Sequence, residues 1–344
     1  MKAAFVKGRN RVCIEDVDVP KVRGNDVLVR MRSCGLCGSD LEKVYGNYMM
    51  YSKRLGHEPA GTVIELGTSV QGFKKRDRVF IHHHVSCNAC HYCWHGDFTM
   101  CDLYQKSNIE PCGFSEQILV PETNTTRGGL VRLPDNLSFD QASLIEPLAC
   151  CIRGISKCSL QKGDDVVVLG AGPVGVMLAN LAKLNGAGRV AVADNNRFRL
   201  NFAEKHFDLD ILNVSAESNL VKAVGDTTHQ RGADLTIVAT GNAKALFQSL
   251  DLTRKGGDIL MFGIPTKAGI IPCDMGKLYS KELSVIPSYA ASEIEINQAI
   301  RILSVRRINL NSLITHRFGL ECIGEAIECA HNAKDAMKVV ISSP

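Results

Sequence analysis

The sequence predicts an α/β protein in which a β-rich lobe accompanies a doubly wound parallel sheet. Two changes of texture along the chain and one glycine-rich turn carry that prediction. At 344 residues the chain exceeds the size at which a single hydrophobic core usually keeps growing, so two domains are expected. Residues 1 to about 145 are short β-type runs, AAFV, DVLVRMRS, GTVIELG, DRVFIHHH and FSEQILVP, punctuated by Gly, Asn, Asp and Pro. From about residue 165 strands alternate with helical patterns: DVVVLG, PVGVMLANLAKLNGAG, RVAVAD, RFRLNFAEKHF, DLTIVATG, AKALFQSLDLTRKGG and DILMFG. Such alternation calls for a parallel sheet with helices on both faces. The C-terminal stretch predicts helices at about 292–306 and 320–331 and a closing strand, AMKVVIS.

Composition narrows the function classes. With 45% hydrophobic and 22% charged residues the chain can bury a substantial core, and disorder is not expected. The formal charge of +4 is spread along the chain without a basic run, so neither a nucleic-acid nor a membrane partner is expected. The N-terminus lacks an apolar run of signal-peptide length, and no stretch approaches the roughly 20 apolar residues of a membrane span. A cytoplasmic location follows as an expectation. Cysteines are kept reduced there, so the 14 cysteines read as metal ligands and packing residues.

The glycine-rich turn belongs to the alternating half. In VVVLGAGPVG an apolar strand runs into Gly170, Gly172 and Gly175 at G-x-G-x-x-G spacing. The first glycine permits the tight turn, the second admits a pyrophosphate to the backbone, and the third lets helix and sheet pack closely. The helix N-terminus then offers free N–H groups to phosphate. The next strand, RVAVAD, ends in Asp194, placed to accept hydrogen bonds from ribose hydroxyls and favouring NAD, while Arg197 and Arg199 nearby leave NADP open. Pro173 and Val174 in the turn, with Thr240 and Gly263 at the ends of later strands, complete the cofactor-binding set.

Two metal sites are expected in the β lobe. Cys87, Cys90, Cys93 and Cys101 form one tight run, CNACHYCWHGDFTMC, and four thiolates close a tetrahedral shell around Zn²⁺ with no open position. A nucleic-acid zinc ribbon is the rival, weakened by the absence of a basic, aromatic-interleaved surface signal. A second site with an open position can be assembled from Cys37 in SCGLCGSD, His57 and Glu58 in LGHEPAG, and Glu146 in SLIEPLACC. Cysteine, histidine and carboxylate suit a catalytic zinc acting as a Lewis acid. Spacing alone leaves His57 open to a structural role and Cys34 with Cys37 open to a redox pair. The run His82, His83, His84 ends a strand, where alternate residues face opposite ways, so it is not expected to ligate a metal.

CGLCGSD, GHEPAG, the four-cysteine run, EPLACC and GAGPVG stand in the order found in the zinc-dependent medium-chain alcohol dehydrogenases, which the chain resembles over nearly its whole length. The resemblance is nearest to the polyol branch, the sorbitol (L-iditol) and threonine dehydrogenase-like members. It implies a GroES-like catalytic domain at 1–147 with a structural zinc loop, a Rossmann domain at 148–288, and a segment, 289–344, that completes the catalytic domain. It implies Cys37 and His57 as catalytic zinc ligands, Glu58 or Glu146 as the acidic partner, Ser39 as the hydroxyl that takes the substrate proton, and Asp40 as a residue that orients the site. Many relatives carry histidine where Glu42 stands, so Glu42 substitutes in the proton relay or the relay runs elsewhere. Cys112 replaces a glycine usual in relatives and reads as a packing residue.

The implied activity is oxidation of a polyol, sugar or other polar secondary alcohol by NAD, with NADP as the alternative cofactor and two zinc ions per chain. Reduction of an aldehyde, semialdehyde or ketone would use the same residues. A zinc-less relative that reduces activated double bonds is opposed by intact Cys37, His57 and Glu146, and a non-enzymatic zinc and dinucleotide sensor ranks lower. The expected partners are a small alcohol or carbonyl substrate and further copies of the chain, as a homo-dimer or homo-tetramer. Tyr45, Tyr48, Met49, Met50 and Tyr51 either shape the substrate pocket or form an ordinary packed loop.

Overall fold

The computed structural model describes residues 1–46, 53–213, 217–263 and 273–343. The chain divides into two compact units, Met1–Ala149 with Ala290–Pro344, and Cys150–Tyr289.

The first unit is organised by a mixed seven-stranded sheet. Its central strand Val27–Gly35 is buried along most of its length and pairs antiparallel with Glu58–Leu66, Gln117–Val120 and the C-terminal strand Lys338–Ser342. The C-terminal residues therefore complete this sheet physically, with Val340 opposite Gly35. Val27, Val29, Met31, Ile81 and Ile118 meet Ile323, Ile327 and Val339 in one core, so residues far apart in sequence share the same buried surface. A separate hairpin, Lys2–Gly8 with Arg11–Asp16, packs beside it.

The second unit is a six-stranded parallel sheet in the order Asp210–Asn213, Arg189–Asp194, Asp165–Leu169, Ala233–Val238, Thr253–Met261, Ser284–Pro287. The order reverses beside Asp165–Leu169, which is where doubly wound sheets bind their ligands. Strands such as DVVVL are almost wholly buried, as expected when helices cover both faces.

The fold class is as the sequence predicts, with local differences. The strand expected through DRVFIHHH stops at Ile81. The helix through AKALFQSL stops at Leu252, and the strand expected at DILMFG begins earlier, at Thr253, with an irregular register against Ala233–Leu235. The short strands Arg11–Asp16 and Leu130–Arg132 and the amphipathic helix Ile145–Ser156 are not among the elements read from the sequence.

Candidate active site and metal centres

The four-cysteine run folds on itself through the short helices His91–Trp94 and Asp102–Lys106. The four Sγ atoms lie within 4.8 Å of one another, and the Cys87–Cys93 and Cys90–Cys93 separations are 3.9 and 3.6 Å. A tetrahedral zinc with Zn–S bonds of about 2.3 Å requires S···S edges of roughly 3.8 Å. All four are free thiols, and backbone N–H groups aim at two of them: Cys87 N lies 3.4 Å from Cys101 Sγ and Ala89 N 3.4 Å from Cys87 Sγ. Burial opposes ionisation of Cys101, but the backbone N–H groups of Cys87, Tyr104 and Leu103 and the Cys87 thiol outweigh it and lower its pKa to about 7. The cluster thus fits a zinc ion that orders its loop.

The second group is assembled by two elements. Cys37 caps the helix Gly38–Tyr45, while His57 and Glu58 sit where the strand Glu58–Leu66 begins. One donor atom from each of Cys37, His57 and Glu58 falls within 4.8 Å of the others. Asp40, fully buried, fixes this geometry: its Oδ2 accepts from Cys37 N at 3.2 Å, and its Oδ1 accepts from Gly56 N at 3.1 Å and lies 3.6 Å from His57 Nδ1. Burial disfavours the Asp40 carboxylate, but His57 outweighs it and holds the pKa well below the usual range. His57 is likewise raised by Asp40 and Cys37 against the effect of burial, so its surroundings favour positive charge. With Nδ1 facing Asp40, the other ring nitrogen, Nε2, stands 3.4 Å from Ser39 Oγ. A carboxylate behind a histidine is the usual way of orienting a metal ligand.

Glu58 is wholly buried and paired with Lys338 from the final strand. Lys338 Nζ donates to Oε1 at 2.8 Å and lies 2.5 Å from Oε2 in the same ion pair. Burial works against the Lys338 charge, but Glu58, Cys37 and Glu146 outweigh it and raise its pKa. A buried carboxylate beside a thiol and an imidazole is a donor set that suits a divalent cation. Glu146, on the first turn of Ile145–Ser156, is buried but lies outside the three-residue group. Lys338 was not singled out by motif; a lysine inside the apolar run AMKVVIS is the signal that marks it.

Other expected residues fall elsewhere. Glu42 lies on the helix Gly38–Tyr45 outside the group, with its pKa raised by burial. Cys34 is wholly buried and its thiol is pushed well up by burial, which opposes a redox pair with Cys37. Cys112 is a packing residue whose thiol contacts Ala4 O at 3.4 Å and is raised to about 11 by burial. Neither cysteine- nor histidine-containing metal group includes His82, His83 or His84 among the described residues. Tyr45 stacks on His331 at 4.1 Å, whereas Tyr48, Met49, Met50 and Tyr51 lie outside the described residues.

In the second unit, Gly170 takes φ +110°, and a Cβ on Gly175 would stand 1.8 Å from Gly170 O, so the turn and the helix Pro173–Leu184 touch through glycine. Gly172 caps that helix with no side-chain acceptor on its first-turn N–H groups, which include those of Val174 and Gly175. Asp194 ends its strand with Oδ2 accepting from Ala171 N at 2.7 Å and Oδ1 from Asn196 N at 2.8 Å, so it is locked to the turn. Arg199 Nη1 lies 3.5 Å from where a Gly172 Cβ would stand, and its buried Nε has no hydrogen-bond partner among the described residues. Thr240 and Gly263 lie back to back at the ends of adjacent strands. Uncapped N–H groups, an unpartnered guanidinium N–H and an anchored carboxylate fit the pyrophosphate and ribose of a dinucleotide.

Residues 23–135 match the family model described as alcohol dehydrogenase GroES-like domain, and residues 173–304 match zinc-binding dehydrogenase. Over 99% of this chain and 97% of the relative, the sequence is 30% identical to a sorbitol dehydrogenase of Bacillus subtilis. The chain belongs to the zinc-dependent alcohol dehydrogenase family. An L-threonine 3-dehydrogenase of Klebsiella pneumoniae is 32% identical over 99% of both chains. The solved structure of an alcohol dehydrogenase from Thermus sp. ATN1 superposes with a TM-score of 0.87 over 99% of both chains at 28% identity. This zinc-dependent dehydrogenase accordingly acts on CH–OH groups with a nicotinamide dinucleotide. No helix among its described residues is long and apolar enough to cross a membrane.

Proposed function

We propose that this dehydrogenase oxidises a polar secondary alcohol, a polyol, sugar or related compound, at the Cys37–His57–Glu58 group, with NAD as the preferred cofactor. The observation that carries the reading is that group itself: three donors of three kinds within 4.8 Å, with the Ser39 hydroxyl 3.4 Å from His57. Two of the relatives, named for sorbitol and for L-threonine, support a polar hydroxyl-bearing substrate.

Cys37, His57 and Glu58 would hold the catalytic zinc, and Cys87, Cys90, Cys93 and Cys101 the structural one. When bound, the catalytic zinc supplies a Lewis acid at the substrate oxygen, and the nicotinamide supplies the hydride acceptor. Ser39, largely buried, takes the hydroxyl proton, and Asp40 keeps His57 turned so that Nε2 faces Ser39. Lys338 neutralises Glu58 and prevents an uncompensated buried charge. Glu146 adds negative charge near Lys338, and Glu42 offers a carboxylate, its pKa raised, for passing protons outward. Asp194 accepts the ribose hydroxyls; its charge opposes a 2′-phosphate, while Arg199 is the residue that would receive one. Gly170, Gly172, Pro173, Val174 and Gly175 form the pyrophosphate turn, and Thr240 and Gly263 flank the same end of the sheet.

The reading extends to a cytoplasmic homo-dimer or homo-tetramer. Supporting self-association, the edge strand Ser284–Pro287 pairs on one side only among the described residues. Absorbance of reduced nicotinamide, followed with zinc-loaded protein, NAD⁺ or NADP⁺ and a panel of polyols, sugars, amino alcohols and simple secondary alcohols, tests the activity. The expected result is turnover of one polar class with NAD⁺, lost in Cys37→Ala while NADH binding persists. Ordinary turnover by Cys37→Ala overturns the site assignment.

A further inference from the structure

The four-cysteine loop grips a distant part of the same unit. Tyr104, buried with Cys93 and Cys101, donates its hydroxyl to Ala291 O at 2.7 Å. Ser86, the residue before the first cysteine, donates its N–H to Glu293 Oε1 at 2.9 Å, and its hydroxyl donates to Asn88 Oδ1 at 2.9 Å inside the loop. Glu293 thereby holds the backbone that leads into the cluster, and Ala290 packs on the core formed by Cys93, Cys101 and Tyr104. Ala290 is also where the chain re-enters this unit after Cys150–Tyr289. Its φ is +56°, a left-handed conformation that is costly for an L residue and that alanine, unlike asparagine or aspartate, cannot ease with a side-chain hydrogen bond.

A strained residue persists where its surroundings over-determine it. Here those surroundings come from a loop whose buried cluster is only Cys93, Cys101 and Tyr104 among the described residues, too few to make a core of its own. The rigidity of the loop therefore depends on closing the four thiolates around a metal. We propose that Tyr104, Ser86 and Glu293 form a zinc-dependent clasp: with Zn²⁺ held by Cys87, Cys90, Cys93 and Cys101, the loop fixes the joint Ala290–Glu293 and its left-handed turn, and loss of that ion releases both. The four-cysteine site then acts beyond its own loop, as a metal-sensitive control on the segment that returns the chain to this unit. Such coupling is reciprocal, so the intact joint strengthens zinc binding by the factor by which zinc stabilises the joint. The clasp requires the four-cysteine zinc and is independent of the alcohol-oxidising reading of the Cys37–His57–Glu58 group.

Hydrogen exchange over residues 290–300, followed by mass spectrometry on the zinc-loaded full chain, reads the joint. Cys37→Ala, which spares the four cysteines, should keep wild-type protection there, whereas Cys93→Ser should exchange about 5- to 150-fold faster. Unchanged exchange in the strand Val27–Gly35 is the control for folding. Transfer of zinc to a chromogenic chelator reads the clasp from the other side. In a Cys37→Ala background the remaining zinc is that of the four cysteines, and adding Glu293→Ala or Tyr104→Phe, which leaves every thiol in place, should speed its release. Equal protection of residues 290–300 in Cys93→Ser and wild type overturns the proposal, as does unaltered zinc release in both Glu293→Ala and Tyr104→Phe. If Cys93→Ser does not fold, Tyr104→Phe decides alone, because it removes one oxygen atom and keeps the ring. A wild type that binds no zinc at the four cysteines also overturns the proposal, through the metal assignment, and the zinc content distinguishes that failure from a failure of the clasp.

Discussion

Asp40 shows how much of the site depends on one carboxylate. It accepts from the backbone of Cys37 and of Gly56 and faces His57 Nδ1, so it couples the ligand on the helix to the ligand at the strand start. Its depressed pKa means that its contribution is fully present above the ordinary carboxylate pKa and fades only as pH falls through the folded value. Asp40→Asn should therefore lower zinc affinity at the catalytic group by about 10- to 100-fold at neutral pH, measured by competition with a chromogenic chelator. Unchanged affinity would show that the backbone alone sets the geometry. The roles of residues were unequally legible. Cys87, Cys90, Cys93 and Cys101 could be read from spacing because their loop closes locally. The choice between Glu58 and Glu146 could not, because it depends on which carboxylate the sheet register brings to Cys37. Gly35 stands opposite both Glu58 and Val340, a register that brings Glu58 beside Cys37 and His57 and delivers Lys338 to it.

At the scale of elements, the glycine turn and its helix form a joint with no spare volume. A methyl group on Gly175 would sit 1.8 Å from Gly170 O, a backbone atom that cannot move without shifting the strand Asp165–Leu169 or the helix Pro173–Leu184. Gly175→Ala should lose NADH binding, read by fluorescence titration, and lower the thermal midpoint; overpacking typically costs about 1–3 kcal/mol. Native-like NADH affinity in that variant would remove the joint from the cofactor site. The strand before the histidines was legible as a strand, since RVFI is apolar and β-branched. Its end at Ile81 was not, because pairing there depends on the distant strand Leu130–Arg132. Beyond that contact, Asn124 donates to the His82 and His83 carbonyls, and the His83 ring packs between His84 and His57, with centroids 4.0 and 5.2 Å away.

At the scale of the molecule, the two units divide the chemistry: both metal groups lie within Met1–Ala149 with Ala290–Pro344, and the dinucleotide turn lies within Cys150–Tyr289. Elemental analysis of the purified protein should find two zinc ions per chain. A chelator should remove them in two phases, the open three-residue site first and the closed four-thiolate site later, with the second phase accompanied by proteolytic sensitivity near residues 87–106. A single phase, or one zinc, would contradict one of the two assignments. Cys37→Ala, retaining the dinucleotide turn, should still be stabilised by NADH, by about 2.7 kcal/mol at a ligand concentration of 100 Kd.

The sequence by itself determined the α/β class, the glycine turn with its acidic strand end, and the four-cysteine loop. Each is encoded within a few tens of residues, where periodicity and spacing act directly on the backbone. Only the tertiary structure decided that Glu58 lies beside Cys37 and His57 and that Lys338 meets Glu58. Those arrangements arise where strands distant in sequence share hydrogen bonds, and a register shift of one residue would turn each side chain to the opposite face.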